Sequence, residues 1–218
     1  MYFLQLNEFN FDLIVKYAES GRLKNFRKLL DAGLVEQRLT ERDANLEPWI
    51  QWVNIYTGSE FSDHGVFRLG HGHELTSSFF HDLRNAGLSQ ICICPMNSPD
   101  LAAFEDMDFI PDPWGDYRTN GDFFSRALAS VAKQSVNDNA QNKITIATYL
   151  RVLLLLIWSF DHKKMLSVLL VISKSRKKKW LKAMVFEQLL ALVCLKKTKK
   201  VPDFDFCSVF FNGIAHTQ

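Results

Sequence analysis

Phe79 to Cys94 reads FFHDLRNAGLSQICIC, and this stretch sets the reading of the whole chain. Phe79 to Ala86 has helical character. Gly87 stops it, because glycine accepts the left-handed backbone that ends a helix. Ser89 to Cys94 follows as a short apolar run in which Ile91 and Ile93 alternate with Cys92 and Cys94, the pattern of a buried parallel strand. Helix, glycine, strand is half of a repeating α/β unit.

The same alternation extends outward. Tyr2 to Leu6 suits a buried first strand, and Asp12 to Ser20 reads as a helix closed by Gly21. Leu23 to Leu30 is a second helical stretch and Val35 to Thr40 a strand. Pro48 to Tyr56 is a helix opened by proline in its first turn and closed by Thr57-Gly58. On the other side, Pro111-Asp112-Pro113-Trp114-Gly115 is a rigid loop, since each proline restricts its own backbone and that of its predecessor. Gly121 to Val136 resumes a helical period, Lys143 to Lys197 is almost wholly helical, and Pro202 to Phe211 reads as a last strand. The order predicts an α/β fold: a mostly parallel, doubly wound sheet with a helical insertion. The expected organisation is an α/β core over 1–142, a helical insertion over 143–200, and a returning core strand over 201–218.

Composition narrows the function. Of 218 residues, 47% are hydrophobic and 23% charged, and the formal net charge is +2, so no global field recruits nucleic acid. Basic residues do bunch, at Lys174 and Arg176 to Lys179 and again at Lys196, Lys197, Lys199 and Lys200. The first reading of both runs is a solvated surface, with a basic stripe for RNA or weak contact to an anionic membrane surface as the alternative. Aromatic interleaving for single-stranded nucleic acid is missing. Cys92, Cys94, Cys194 and Cys207 do not make a disulfide framework in a chain of this length, and Cys92 and Cys94 are expected to be buried strand residues. The N-terminus has no basic region ahead of its apolar stretch, so no secretory signal is read. Ile144 to Phe160 is the most apolar segment, but Arg151 interrupts it, which favours a buried or amphipathic helix over a span. A cytoplasmic protein is expected.

Four segments carry a resemblance. The first is Asn7-Glu8 after the opening strand, followed by Gly21-Arg22-Leu23-Lys24-Asn25-Phe26-Arg27-Lys28-Leu29. The second runs from Glu47-Pro48-Trp49 through Thr57-Gly58 to His64-Gly65-Val66. The third is Phe79 to Asn97 with the Pro-Asp-Pro-Trp loop, and the fourth is Pro202 to Asn212 with His216. In this order they resemble the phosphodiesterase and sulfatase branch of the alkaline phosphatase superfamily, the third segment being similar to a polysaccharide-associated subgroup. The resemblance implies a metal-dependent phosphoesterase or phosphotransferase using zinc or manganese. Its substrate would be a phosphorylated small molecule or polysaccharide precursor. Two metals at the carboxyl edge of such a sheet clamp the attacking and leaving oxygens of a phosphoryl transfer.

Carried over residue by residue, the resemblance puts Asn7 and Glu8 at the first metal position and Asn212 and His216 at the Asp-x-x-x-His pair. Pro48 falls on the nucleophile position, with Glu47 beside it as the metal-binding or basic candidate. Asn stands for Asp twice, and proline offers no nucleophilic atom. The family's later Asp-His pair and further His have no counterpart up to Gln218. The chain is therefore expected to be the N-terminal portion of a larger enzyme, inactive alone and holding no metal stably. The alternative is a non-catalytic module that binds a phosphosugar or nucleotide. His64 is expected to bond backbone, and Thr57 to be a helix-end hydroxyl. His71-Gly72-His73 is set aside as a metal site for want of a carboxylate or cysteine partner. Asp112 and Trp114 are read first as parts of a rigid structural turn, with lining a pocket as the alternative.

Overall fold

The computed structural model describes residues 1–37, 47–104, 106–137, 145–159, 178–201, 203–213 and 215. Four parallel strands form one sheet in the order β1 (Tyr2–Leu6), β4 (Phe206–Phe211), β2 (Gln90–Ile93), β3 (Met107–Ile110). The last strand in sequence is thus central. Tyr2 pairs with Cys207 and Leu6 with Phe211 on one side of β4, and Gln90 pairs with Phe206 and Ile93 with Val209 on the other.

Helices cover both faces. On one side lie α3 (Pro48–Thr57) and α5 (Phe79–Asn85), which meet the sheet through Tyr56, Phe80, Cys92, Leu101, Phe109 and Phe206. On the other lie α6 (Phe123–Asn137), α7 (Ile146–Trp158) and α8 (Lys178–Lys200), packed through Leu128, Leu155, Leu189, Val193, Ile91 and Val209. Period-two alternation explains the split: Cys92 and Phe206 face one layer, while Ile91, Ile93, Cys207 and Val209 face the other. Two further helices, α1 (Phe11–Glu19) and α2 (Lys24–Asp31), pack against each other after β1, and α4 (Phe61–His64) follows α3.

Local chemistry sets the ends. The Asn10 side chain caps α1 by accepting from the Leu13 N–H at 3.0 Å. Proline opens α3, and Gly58 closes it at φ 67, the left-handed region where a side chain is strained. α3 is pinned to the sheet by a buried polar chain in which the Tyr56 hydroxyl donates to Gln5 Oε1 and Gln5 Nε2 donates to Ser208 Oγ.

The helices after β1 and around α5, and strands β1, β2 and β4, fall close to where the sequence puts them. Strand β3 was not foreseen, because MDFI is too short to show a period. Val35 to Gln37 is not a strand, and Arg38 to Thr40 lie outside the described residues. Of the described parts of 143–200, α8 lies against β4 and β2, and α7 packs on α6 and α8 in the same core. α7 is 13 residues long, and no helix among the described residues is long and apolar enough to cross a membrane.

The lysine-rich end of α8 is partly internal. Lys197 is 3% exposed and its Nζ donates to Asp108 on β3, with Asp122 3.4 Å away. Lys200 Nζ lies 5.1 Å from the Trp158 ring centroid, over a Phe124–Trp158 stack. The solvated-face reading therefore fails for Lys197, while Lys200 stays exposed. The first basic run falls on residues or side chains outside the description.

Candidate functional site

Because the strands are parallel, their carboxyl ends deliver loops to one edge, where ligands of such sheets bind. Asn7 and Glu8 follow β1, Asn212 and Gly213 follow β4, Cys94 to Asn97 follow β2, and Asp112 follows β3 by two residues. Backbone strain gathers there. The three non-glycine residues with positive φ among those described are Glu8 (53°), Cys94 (53°) and Asn97 (55°), all on this edge.

Asn7 and Asn212 meet. Asn7 Nδ2 donates to Asn212 Oδ1 at 2.8 Å, and Asn7 Oδ1 accepts from Trp52 Nε1 at 3.0 Å. The Asn7 N–H donates to the Phe211 carbonyl, so both strand ends are stitched together. Each amide oxygen already accepts a hydrogen bond and the pair carries no charge. As a donor set it offers a divalent cation amide oxygens without charge, a weaker pair than the carboxylates of the resemblance. Glu8 is exposed in the turn after β1, and Glu47 is exposed at the N-cap of α3 without a side-chain capping bond. Neither belongs to a group of three His, Cys, Asp or Glu side chains close enough to share an ion among the described residues. His216 lies outside them.

Sequence reasoning missed Glu187. It sits on α8 against the end of β4, where Oε1 accepts from the Asn212 N–H at 3.0 Å. Burial pushes its carboxyl up to about 7, against the lowering effect of the Asn212 and Gly213 N–H groups. A Cβ on Gly213 would come within 2.5 Å of Glu187 Cγ, so the glycine permits the approach. In sequence Glu187 is one carboxylate in a leucine-rich helix, and only the packing gives it a role.

Asn97 and Asp112 brace the adjoining loops. The Asn97 N–H donates to one Asp112 oxygen, and the Trp114 and Gly115 N–H groups donate to the other at 3.0 and 2.9 Å. Asn97 Oδ1 accepts from the Gly72 N–H at 3.0 Å, and its Nδ2 donates to the Trp49 and Arg68 carbonyls. Burial raises the Asp112 carboxyl, and the three N–H groups oppose that rise.

Next to this brace is a hollow of about 490 Å³ lined by Asp112, Tyr117, Ser130, Lys133, Thr145 and Arg151, among others. Lys133 pairs with the exposed Asp116 at 2.7 Å, while Arg151 makes no ion pair among the described residues. Asp112 lines the hollow, but its oxygens are spent on backbone, as the structural-turn reading expects. His64 also behaves as read: Nδ1 accepts from the Val66 N–H at 3.0 Å, which leaves Nε2–H facing Asn54 Oδ1 at 2.7 Å. Burial holds this imidazole below its usual value. Thr57 Oγ1 donates to the Val53 carbonyl, a helix-end bond.

Fold and edge together define an α/β protein built on a four-stranded, all-parallel sheet. Comparison of the chain with protein-family models, curated proteins and solved structures gives no match.

Proposed function

We propose that the chain is an alkaline-phosphatase-like binding module that holds a phosphosugar or nucleotide at its carboxyl edge without turning it over. The observation that carries this reading is the closed Asn7–Asn212–Trp52 network. Neutral amides bonded to one another stand where the resemblance puts metal carboxylates. The hollow beside the brace supplies what a phosphate wants: the Lys133 and Arg151 cations with the Ser130 and Thr145 hydroxyls. The Lys133–Asp116 pair is exposed and weak, so an anion can exchange for it.

Calorimetric titration with uridine diphosphate and glucose 1-phosphate tests the proposal. One of them should bind, roughly tenfold more weakly in Arg151→Ala, which is about 1.4 kcal/mol, and no phosphate should be released. Absence of binding to both at millimolar concentration rejects the module, and so does turnover.

A second reading, a metal-dependent phosphoesterase or phosphotransferase of which these residues form part of the site, is favoured by Glu187. A carboxyl near neutrality at a strand end suits proton transfer. It requires hydrolysis of bis(p-nitrophenyl) phosphate with zinc or manganese, lost in Glu187→Gln. A rate no higher than buffer alone removes it.

A further inference from the structure

The turn Arg68 to Leu75 carries a second constellation, independent of the function proposed above. Gly72–Glu74 form a single 3₁₀ turn, whose three-residue period eclipses residues three apart. His71 and Glu74 therefore meet, with Nδ1 and Oε1 2.7 Å apart, and the His73 ring centroid lies 5.5 Å from that of His71. One donor atom from each of His71, His73 and Glu74 falls within 4.8 Å of the other two. The carboxylate that the sequence reading found wanting is the next residue along.

We propose that His71, His73 and Glu74 bind a first-row divalent transition metal, zinc foremost. Two imidazoles and one carboxylate are a zinc donor set, and three protein ligands leave a position open for water. Donors 2.0–2.1 Å from zinc stand roughly 3.4 Å apart in a tetrahedron, so closure needs shifts of about 1 Å by side chains of which His71 is half-buried and His73 and Glu74 are exposed.

The backbone beneath them is fixed. The Gly72 N–H is held by Asn97 Oδ1, and a Cβ there would lie 2.2 Å from the Asn97 and Ser98 carbonyl oxygens. The His73 N–H donates to the Tyr117 hydroxyl at 2.9 Å, and the Glu74 N–H to the His71 carbonyl at 3.0 Å. His73 Nδ1 lies 3.3 Å from the Gly70 carbonyl, a contact that selects the tautomer with a free Nε2 lone pair for a metal. Preorganised backbone under mobile donors is how a small site gains affinity.

The test is titration of the full chain with zinc chloride, followed by competition against a chromogenic chelator, with cobalt(II) as a visible-absorption probe. A single equivalent should bind at micromolar concentration, with four-coordinate cobalt bands. Affinity should fall at least roughly tenfold in each of His71→Gln and His73→Gln, or about 1.4 kcal/mol. Glu74→Gln should weaken it as well, and His64→Gln and His81→Gln should leave it unchanged. Circular dichroism of each variant confirms that the fold is kept. Binding only at millimolar zinc, or binding that persists in the His71→Gln/His73→Gln double variant, overturns the proposal.

Discussion

Lys197 shows how far one residue can depart from its run. It stands among Lys196, Lys199 and Lys200, yet its ammonium is buried and tied to Asp108, whose side chain is 26% exposed. Asp122 is held below the usual carboxylate range; burial works to raise it, but the Ser125 N–H and Lys197 outweigh that. The pair joins the end of α8 to the edge strand β3 across the helical layer. Removing one partner of a buried pair leaves the other uncompensated, at a cost of about 3–5 kcal/mol. Asp108 and Asp122 are partly exposed to water, so Lys197→Ala should lower the unfolding free energy by less, about 1–3 kcal/mol, in a urea titration. The Lys197→Met/Asp108→Asn double variant should recover a good part of it, since the more buried carboxylate is neutralised and only Asp122, half-exposed, keeps its charge. Equal losses in the single and double variants would show that packing, not charge, is what Lys197 supplies.

Among the elements, the 3₁₀ turn Gly72–Glu74 is held closely by backbone. Its glycine lies against the Asn97–Ser98 backbone, which cannot yield as a flexible side chain would. Gly72→Ala should cost about 1–3 kcal/mol by overpacking and weaken zinc along with it, both measurable on one preparation by thermal melting with and without the metal. An unchanged melting temperature would mean that the Asn97 loop moves aside. The sequence announced elements where they were long or punctuated: α3 between Pro48 and Gly58, β2 after Gly87, β4 in its phenylalanine-rich run. It gave no sign of β3, four residues wedged between Asp106 and Pro111, nor of the 3₁₀ turn, whose meaning depends on Asn97 twenty-five residues away. His71 and His73 were visible as a spacing, but Glu74 counts as their partner only once the turn closes.

For the whole molecule, the placement of β4 decides the site. A strand from the end of the chain enters between β1 and β2 and brings Asn212 to Asn7, a contact across 205 residues that spacing could hint at but not establish. The same placement sets the Glu187 carboxyl against the Asn212 N–H, and pH-dependent stability follows. Its value in the fold is about 7, against an ordinary 4.5, so between those values the folded chain holds a proton that the unfolded chain has released. The stability it contributes is complete below pH 4.5 and is lost as pH rises through 7. His64 and His81 tilt the other way, because burial lowers both from 6.5 and their contribution is lost as pH falls. Comparison of the wild type with Glu187→Gln cancels the histidines. The variant should lose the decline between about pH 4.5 and 7 and be the more stable at pH 8, by a margin on the order of 1–3 kcal/mol. Glutamine retains an oxygen to accept from the Asn212 N–H, so the local fold should hold. Parallel pH profiles for the two proteins would mean that water reaches the carboxylate and that Glu187 is not poised near neutrality.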